Sequence, residues 1–255
     1  MKGKAVRAAE RVAQALQAWP QVHCAALGEP IAEDFYDPYY FLSIDVYHSG
    51  GLPPAESRCD SFSFGGGFES SQSNRKDRFL LDRIPIRLEY KDMAGMEDLI
   101  DGKGGLQESL REGGTYGFYR IVNSEILFHR DDWLLRMRKK LENMPQTFWD
   151  LLRRKFQSRM EHFLGDMGAA VMRGDDLFFL IAAAGFVRST CALLFAVNRR
   201  FEPSPRLLAE QVMSLPILPD TFEGRFGSIL RSDSGLSPGK KREVAELLAR
   251  NTLNL

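Results

Sequence analysis

The chain has 255 residues, enough for one large domain or two modest ones, each with its own core. Hydrophobic residues make up 44% and charged residues 27%, the balance of an ordinary globular protein rather than a disordered or fibrous one. Lysine plus arginine equals aspartate plus glutamate at 34 each, so no global field favours nucleic acid and any polyanion contact has to be local.

Residues 4–18 place Val6, Ala9, Ala13 and Leu16 at helical spacing, with Arg7, Arg11 and Gln14 between them. That pattern predicts an amphipathic helix ended near Trp19-Pro20. It is not a continuously apolar leader, and the expectation is a cytoplasmic protein. VHCAALG, residues 22–28, predicts a short buried strand stopped by Gly28, and EPIAEDFYDP forms an acidic, proline-bounded connection. The next strand, FLSIDVYHSG at 41–50, carries Asp45 at its centre. A carboxylate inside an apolar strand is costly to bury unless it is paired or holds a cation. A second strand, IPIRLEYKD at 84–92, carries Glu89 in the same way. Two neighbouring strands that each point an acid at one spot make a Mg²⁺ site. The alternative is that each carboxylate lies on a solvated sheet face.

Between these strands, residues 50–78 predict a long loop or hairpin. Gly65-Gly66-Gly67 lacks the lysine and helix start of a phosphate-binding loop. Arg75, Lys76 and Arg78 make a small basic cluster, and Asp77-Arg78 reads as a local salt bridge or part of a cleft wall. MEDLIDGKGGLQESLREGG, residues 96–114, predicts a short acidic helix with glycine-rich ends. Residues 116–132 contain one more alternating piece, Ile126-Leu127-Phe128, before Asp131 and Asp132 offer helix caps. Cys24 and Cys191 lie in apolar stretches and read as buried small hydrophobes. His23, His48, His129 and His162 have no spacing suited to zinc.

Near residue 130 the hydrophobic period changes from two to 3.6. Trp133, Leu134, Met137 and Leu141 predict one helix, and Phe148, Leu151, Leu152, Phe156, Met160, Phe163, Met167 and Val171 a long second one after Pro145. Asp175 and Asp176 cap an apolar helix at 177–200, and further helices follow at 205–214, 220–231 and 238–250. The apolar helix is long enough to span a membrane, but Arg188 sits in its middle, at a cost of about 2.5–3.5 kcal/mol on insertion. A buried core helix is the expectation. Arg188 then needs either an acid such as Asp150, Glu161 or Asp166 or an anionic ligand in a cleft. The fold class is α+β, with an α+β domain over 1–130 and a helical bundle over 131–255. The strands 22–27, 41–47 and 84–90 should share one mixed sheet with helices on one face.

The order of helix, strand ending in Leu27-Gly28, irregular loop and strand bearing Asp45 resembles the polymerase-β-type nucleotidyltransferase superfamily. CALLFAVNRRFEPSPRLLAEQVMSLPILPDTF, residues 191–222, resembles the helical domain of its bacterial aminoglycoside-type members and of uncharacterised nucleotidyltransferase-like proteins. The resemblance implies catalytic, metal-holding carboxylates at Asp45 and Glu89, a Mg²⁺ or Mn²⁺ cofactor, and nucleotide contacts at Gly28, position 29, position 43 and Arg206, to which Arg188 adds a nucleotide contact if it faces the cleft. Three of these depart from the pattern. Glu29 stands where the family has serine, Ser43 where it has the first acid, and Arg206 where it has lysine. Glu29 repels phosphate, and Ser43 brings no charge to a hard cation. The implied protein is a catalytically impaired or inactive member that keeps a nucleotide- or partner-binding role. The alternative is an active enzyme that moves a nucleoside monophosphate from a nucleoside triphosphate to a small hydroxylated acceptor. No membrane or strong nucleic-acid partner is expected, and a protein partner is open.

Overall fold

The computed structural model describes residues 2–28, 40–62, 67–103, 114–231 and 235–255. The chain divides into two compact units, one of residues 1–113 and 117–143, the other of 114–116 and 144–255.

In the first unit, α1 (Lys2–Gln17) leads into β1 (Val22–Leu27) and β2 (Leu42–His48). Then come α2 (Ala55–Ser61), the two-residue β3 (Glu69–Ser70), β4 (Lys76–Leu81) and β5 (Ile84–Asp92). The unit continues through α3 (Met93–Ile100), α4 (Tyr116–Asn123), β6 (Glu125–His129) and α5 (Trp133–Glu142). The described strands form one sheet in the order β3-β4-β5-β2-β1-β6. β2 and β5 run parallel and the remaining pairs antiparallel.

The sheet is mixed, as the alternation predicts, but it is covered on both faces rather than one. Ala25, Leu27, Ile44, Val46, Ile86, Leu88 and Phe79 join Ala5, Ala8, Val12 and Leu16 of α1 and Phe62 after α2 in one apolar core. On the opposite face α4 sends Arg120 onto β2, and Trp133 of α5 packs its ring 5.1 Å from that of Tyr47. This explains why α5 belongs with the sheet, and why the units divide at residue 143 and not at 130. The Trp133 indole N–H also donates to Glu97 Oε1 of α3 at 2.5 Å.

Two loop expectations are corrected. Residues 55–61 are helical, and Asp77 does not bridge to Arg78, because successive strand residues point to opposite faces. Asp77 is buried against Arg58 of α2 instead. Glu29, Gly65, Gly66 and residues 104–113 of the expected acidic helix lie outside the described residues.

The second unit is helical: α6 (Gln146–Arg173), α7 (Asp176–Val197), α8 (Leu208–Met213), α9 (Phe222–Leu230) and α10 (Pro238–Leu253). Among the described residues no strand follows His129. Gly174 ends α6 in the left-handed conformation, and Asp175 caps α7 by accepting from Phe178 N. The two helices approach closely at Gly185, where a Cβ would fall 2.5 Å from the Phe163 ring. Residues 189–196 of α7 are buried all round, but its first half exposes Leu177, Leu180 and Ile181 at 68%, 66% and 58%. By length and composition α7 is apolar enough to cross a membrane, and 50% of that apolar window is buried within the protein.

Candidate functional site

The site is built on the one parallel strand pair. β2 and β5 lie in register, with Ser43 opposite Arg87, Asp45 opposite Glu89 and Tyr47 opposite Lys91. Strand alternation puts all six side chains on one sheet face, so Asp45 and Glu89 are brought together. Asp45 is fully buried. Arg120 Nε donates to its Oδ2 at 2.8 Å, and Arg120 Nη2 donates to Ser43 Oγ at 2.8 Å. The same Nη2 lies 2.7 Å from Asp45 Oδ1, off the line of a hydrogen bond, so Oδ1 has an ion-pair neighbour but no donor among the described residues. Lys91 Nζ sits 2.8 Å from Oδ2, and Arg120 Nη1 lies 3.4 Å from Glu89 Oε2. Gly28 completes the cradle: a Cβ there would stand 2.2 Å from Arg120 Nη2 and 2.5 Å from Cζ. Only glycine lets the guanidinium lie against the end of β1.

Two carboxylates, the buried Arg120 and the partly buried Lys91 cancel at the centre. Burial pushes the Lys91 ammonium below its ordinary range, and Arg120 adds to this, while Asp45 opposes it. Burial alone would push Glu89 up, but Arg120, Lys76 and Lys91 outweigh it and hold its carboxyl below the usual value. Further out on the same face, Lys76 pairs with Glu89 at 3.6 Å, and Arg87 stacks 3.9 Å over the Phe41 ring. Arg78 and Arg87 line a cleft of about 360 Å³ with Tyr40 and Phe41.

The metal that the resemblance implies can be tested against this donor set. A divalent ion needs several oxygen ligands around it at short range. Here Ser43 supplies a neutral hydroxyl, Asp45 Oδ2 is taken by Arg120 and Lys91, and Asp45 Oδ1 already faces the Arg120 guanidinium at 2.7 Å. The guanidinium fills the space that Ser43, Asp45 and Glu89 share. So arranged, these residues do not fit a divalent ion.

A solved structure, the nucleotidyltransferase-like protein from Exiguobacterium sibiricum 255-15, superposes with a TM-score of 0.50 at 12% identity, over 95% of this chain and 71% of that one. The fold is nucleotidyltransferase-like. A family model described as Domain of unknown function (DUF4037) matches residues 115–206, a span that contains both Arg120 and Arg206. No curated protein matches the chain.

On this nucleotidyltransferase-like fold the expected site residues separate. Gly28, Ser43, Asp45 and Glu89 meet around one guanidinium. Arg188 and Arg206 belong to the second unit and are exposed. Arg188 is therefore not buried, contrary to expectation. Arg188 continues the solvent-facing stripe of Leu177, Ile181 and Ala184, at offsets of eleven, seven and four along α7. Its charge acts instead on Glu202. The groups missed by sequence reasoning are Arg120 and Lys91. Lys91 was findable, since it stands two residues after Glu89 on the same face. Arg120 was hidden inside YGFYRIVN, where an arginine among aromatics looks like a solvated residue of a strand.

Glu202 makes a smaller polar knot in the second unit. Thr115 donates to its Oε2 from N at 3.2 Å and from Oγ1 at 3.4 Å, and Glu202 N donates to Thr115 Oγ1 at 2.8 Å. Burial raises the Glu202 carboxyl, against the lowering effect of Thr115, Arg188 and Lys155. An acid whose folded pKa is raised favours the folded state below its unfolded value and loses that contribution as pH rises through the folded value. Glu89 has the opposite sign: its contribution is present above about 4.5 and lost as pH falls through its depressed value. Glu202→Gln should therefore raise Tm at pH 7 by a few degrees and shrink the Tm difference between pH 7 and pH 5, as read by scanning calorimetry.

Proposed function

We propose that the chain is a nucleotidyltransferase-fold binding protein, impaired or inactive in nucleotidyl transfer, which takes an anionic ligand such as a nucleotide without a divalent metal. The observation that carries this reading is the Arg120 guanidinium held by Asp45 and Ser43 against Gly28. In metal-assisted transfer the ion draws charge off the attacking and leaving oxygens. Arg120 provides a positive charge and hydrogen bonds but no coordination site for a nucleophile. Arg78 and Arg87 beside Tyr40 and Phe41 supply what a phosphate and a stacked base would use.

The competing reading, an active metal-dependent transferase, is favoured by the in-register pairing of Asp45 with Glu89. One experiment separates them. ATP and GTP are titrated with thermal-shift readout in EDTA and in Mg²⁺, and labelled nucleotide is followed into added alcohols. The expected result is stabilisation that persists in EDTA, with no transfer. Transfer at ordinary enzyme rates, about 1 s⁻¹ or faster, would overturn the proposal, as would stabilisation seen only with Mg²⁺.

A further inference from the structure

We propose that Ser49, His23 and Asp131 form an acyl-transfer site at one end of the sheet, acting on small activated carboxylic esters. His23 Nδ1 lies 2.7 Å from Asp131 Oδ2, and its Nε2 lies 2.8 Å from Ser49 Oγ. The three groups come from three places in the first unit: β1, the turn after β2, and the link between β6 and α5. Each is separately held. Ser49 N donates to Gln21 O at 3.0 Å, and Asp131 Oδ1 accepts from Trp133 N at 2.9 Å.

The order of the contacts sets the chemistry. An ionised carboxylate has no proton to give, so Nδ1 is the donor toward Asp131, and Nε2 is left bare to accept the Ser49 hydroxyl proton. Burial pushes the Asp131 carboxyl up, but the bonds from Trp133 and His23 outweigh it and keep it below the ordinary value. Gly50, at φ +75, and Gly51 follow the nucleophile, and among the described residues neither N–H donates to a backbone acceptor. Those two N–H groups are the available donors to a developing oxyanion. Both glycines line a cleft of about 710 Å³ whose wall includes Leu52, Pro53, Pro54 and Met96, which can take a short acyl chain, beside the polar Arg58, Arg75, Lys91 and Asp92. Ser49, His23 and Asp131 take no part in the Asp45 cluster, although Lys91 of that cluster lines this cleft as well.

In the reaction Ser49 Oγ bonds to the ester carbonyl carbon as its proton passes to Nε2. The bond to the alcohol oxygen then breaks, and the alcohol leaves with that proton. Water adds to the acyl-serine, returns a proton through Nε2, and releases the carboxylic acid.

The test uses p-nitrophenyl acetate on the full chain, with mass mapping of the adduct. A burst of one equivalent of p-nitrophenol and one acetyl group on Ser49 is expected. Ser49→Ala, a change at an exposed position, should abolish the burst, and His23→Gln should slow it about 100-fold. Asp131 is a positioning residue, and Asp131→Asn preserves its capping ability while presenting an amide to Nδ1. It should slow acylation with Tm unchanged. Acetyl found on another residue would overturn the proposal, and so would acylation of Ser49 at an unchanged rate in His23→Gln. Either outcome would leave His23 as a brace between β1 and the turn after β2.

Discussion

Arg120→Met should lower Tm by on the order of 10 °C, the consequence of about 3–5 kcal/mol lost when a buried ion pair is broken on one side. Asp45 stays fully buried and keeps only Lys91, and Glu89 keeps Lys76. The shorter Arg120→Ala leaves space as well as negative charge beside Gly28. In that variant, unlike the wild type, millimolar Mn²⁺ should recover part of the lost Tm. A ligand at a hundredfold its Kd stabilises by about 2.7 kcal/mol. Calorimetry on both proteins reads the exchange of one cation for another directly. An unchanged Tm in Arg120→Met would show that the cluster contributes nothing to the fold, and Mn²⁺ binding to the wild type would remove the misfit on which the proposed function rests.

Arg58→Met should be comparably severe. Arg58 grips Asp77 through Nε at 2.8 Å and Nη2 at 3.0 Å, and also donates to Pro53 O at 2.7 Å and Ser70 Oγ at 2.8 Å. Its guanidinium lies 5.2 Å from the Tyr90 ring centre, and Tyr90 Oη donates to the same carboxylate at 2.7 Å. Both charged partners are buried, at 1% and 0% exposure. Removing the guanidinium leaves Asp77 with the tyrosine alone, at about 3–5 kcal/mol, seen as a lower urea midpoint. The double change Arg58→Met with Asp77→Leu should recover much of that loss, because no charge is then left unpaired. A double variant no better than the single one would place the effect in the packing of α2 rather than in the pair.

The strands were legible because burial enforces period two. Asp45 and Glu89 stood out as charges inside apolar runs, and their shared face follows from alternation once β2 and β5 are neighbours. Helices after residue 133 were legible for the corresponding reason at period 3.6. What could not be read was the identity of the cation. A carboxylate in a strand says that a positive charge is near, and nothing in local spacing distinguishes a metal from a guanidinium 75 residues away. The same ambiguity misled the reading of Arg188: α7 is apolar throughout, but only its second half is enclosed, and composition does not say which half. The triad-like arrangement of Ser49, His23 and Asp131 was equally out of reach, since it depends on the meeting of β1, the turn after β2 and the link before α5.

The separation between Asp45 and Arg120 also bears on the order in which the chain acquires structure. The α6–α7 hairpin closes across a two-residue link, so its pairing is local and fast to find. The β2–β5 pairing is parallel and spans roughly forty residues, and loop closure on that scale is slow relative to a helical hairpin. During synthesis Asp45 emerges long before α4, and until Arg120 docks it is a carboxylate with no reason to leave water. Closure of the second face of the sheet is therefore the late step. Mutations at Arg120 should act mainly on the unfolding rate, while those along α1 and the core strands should act on folding itself.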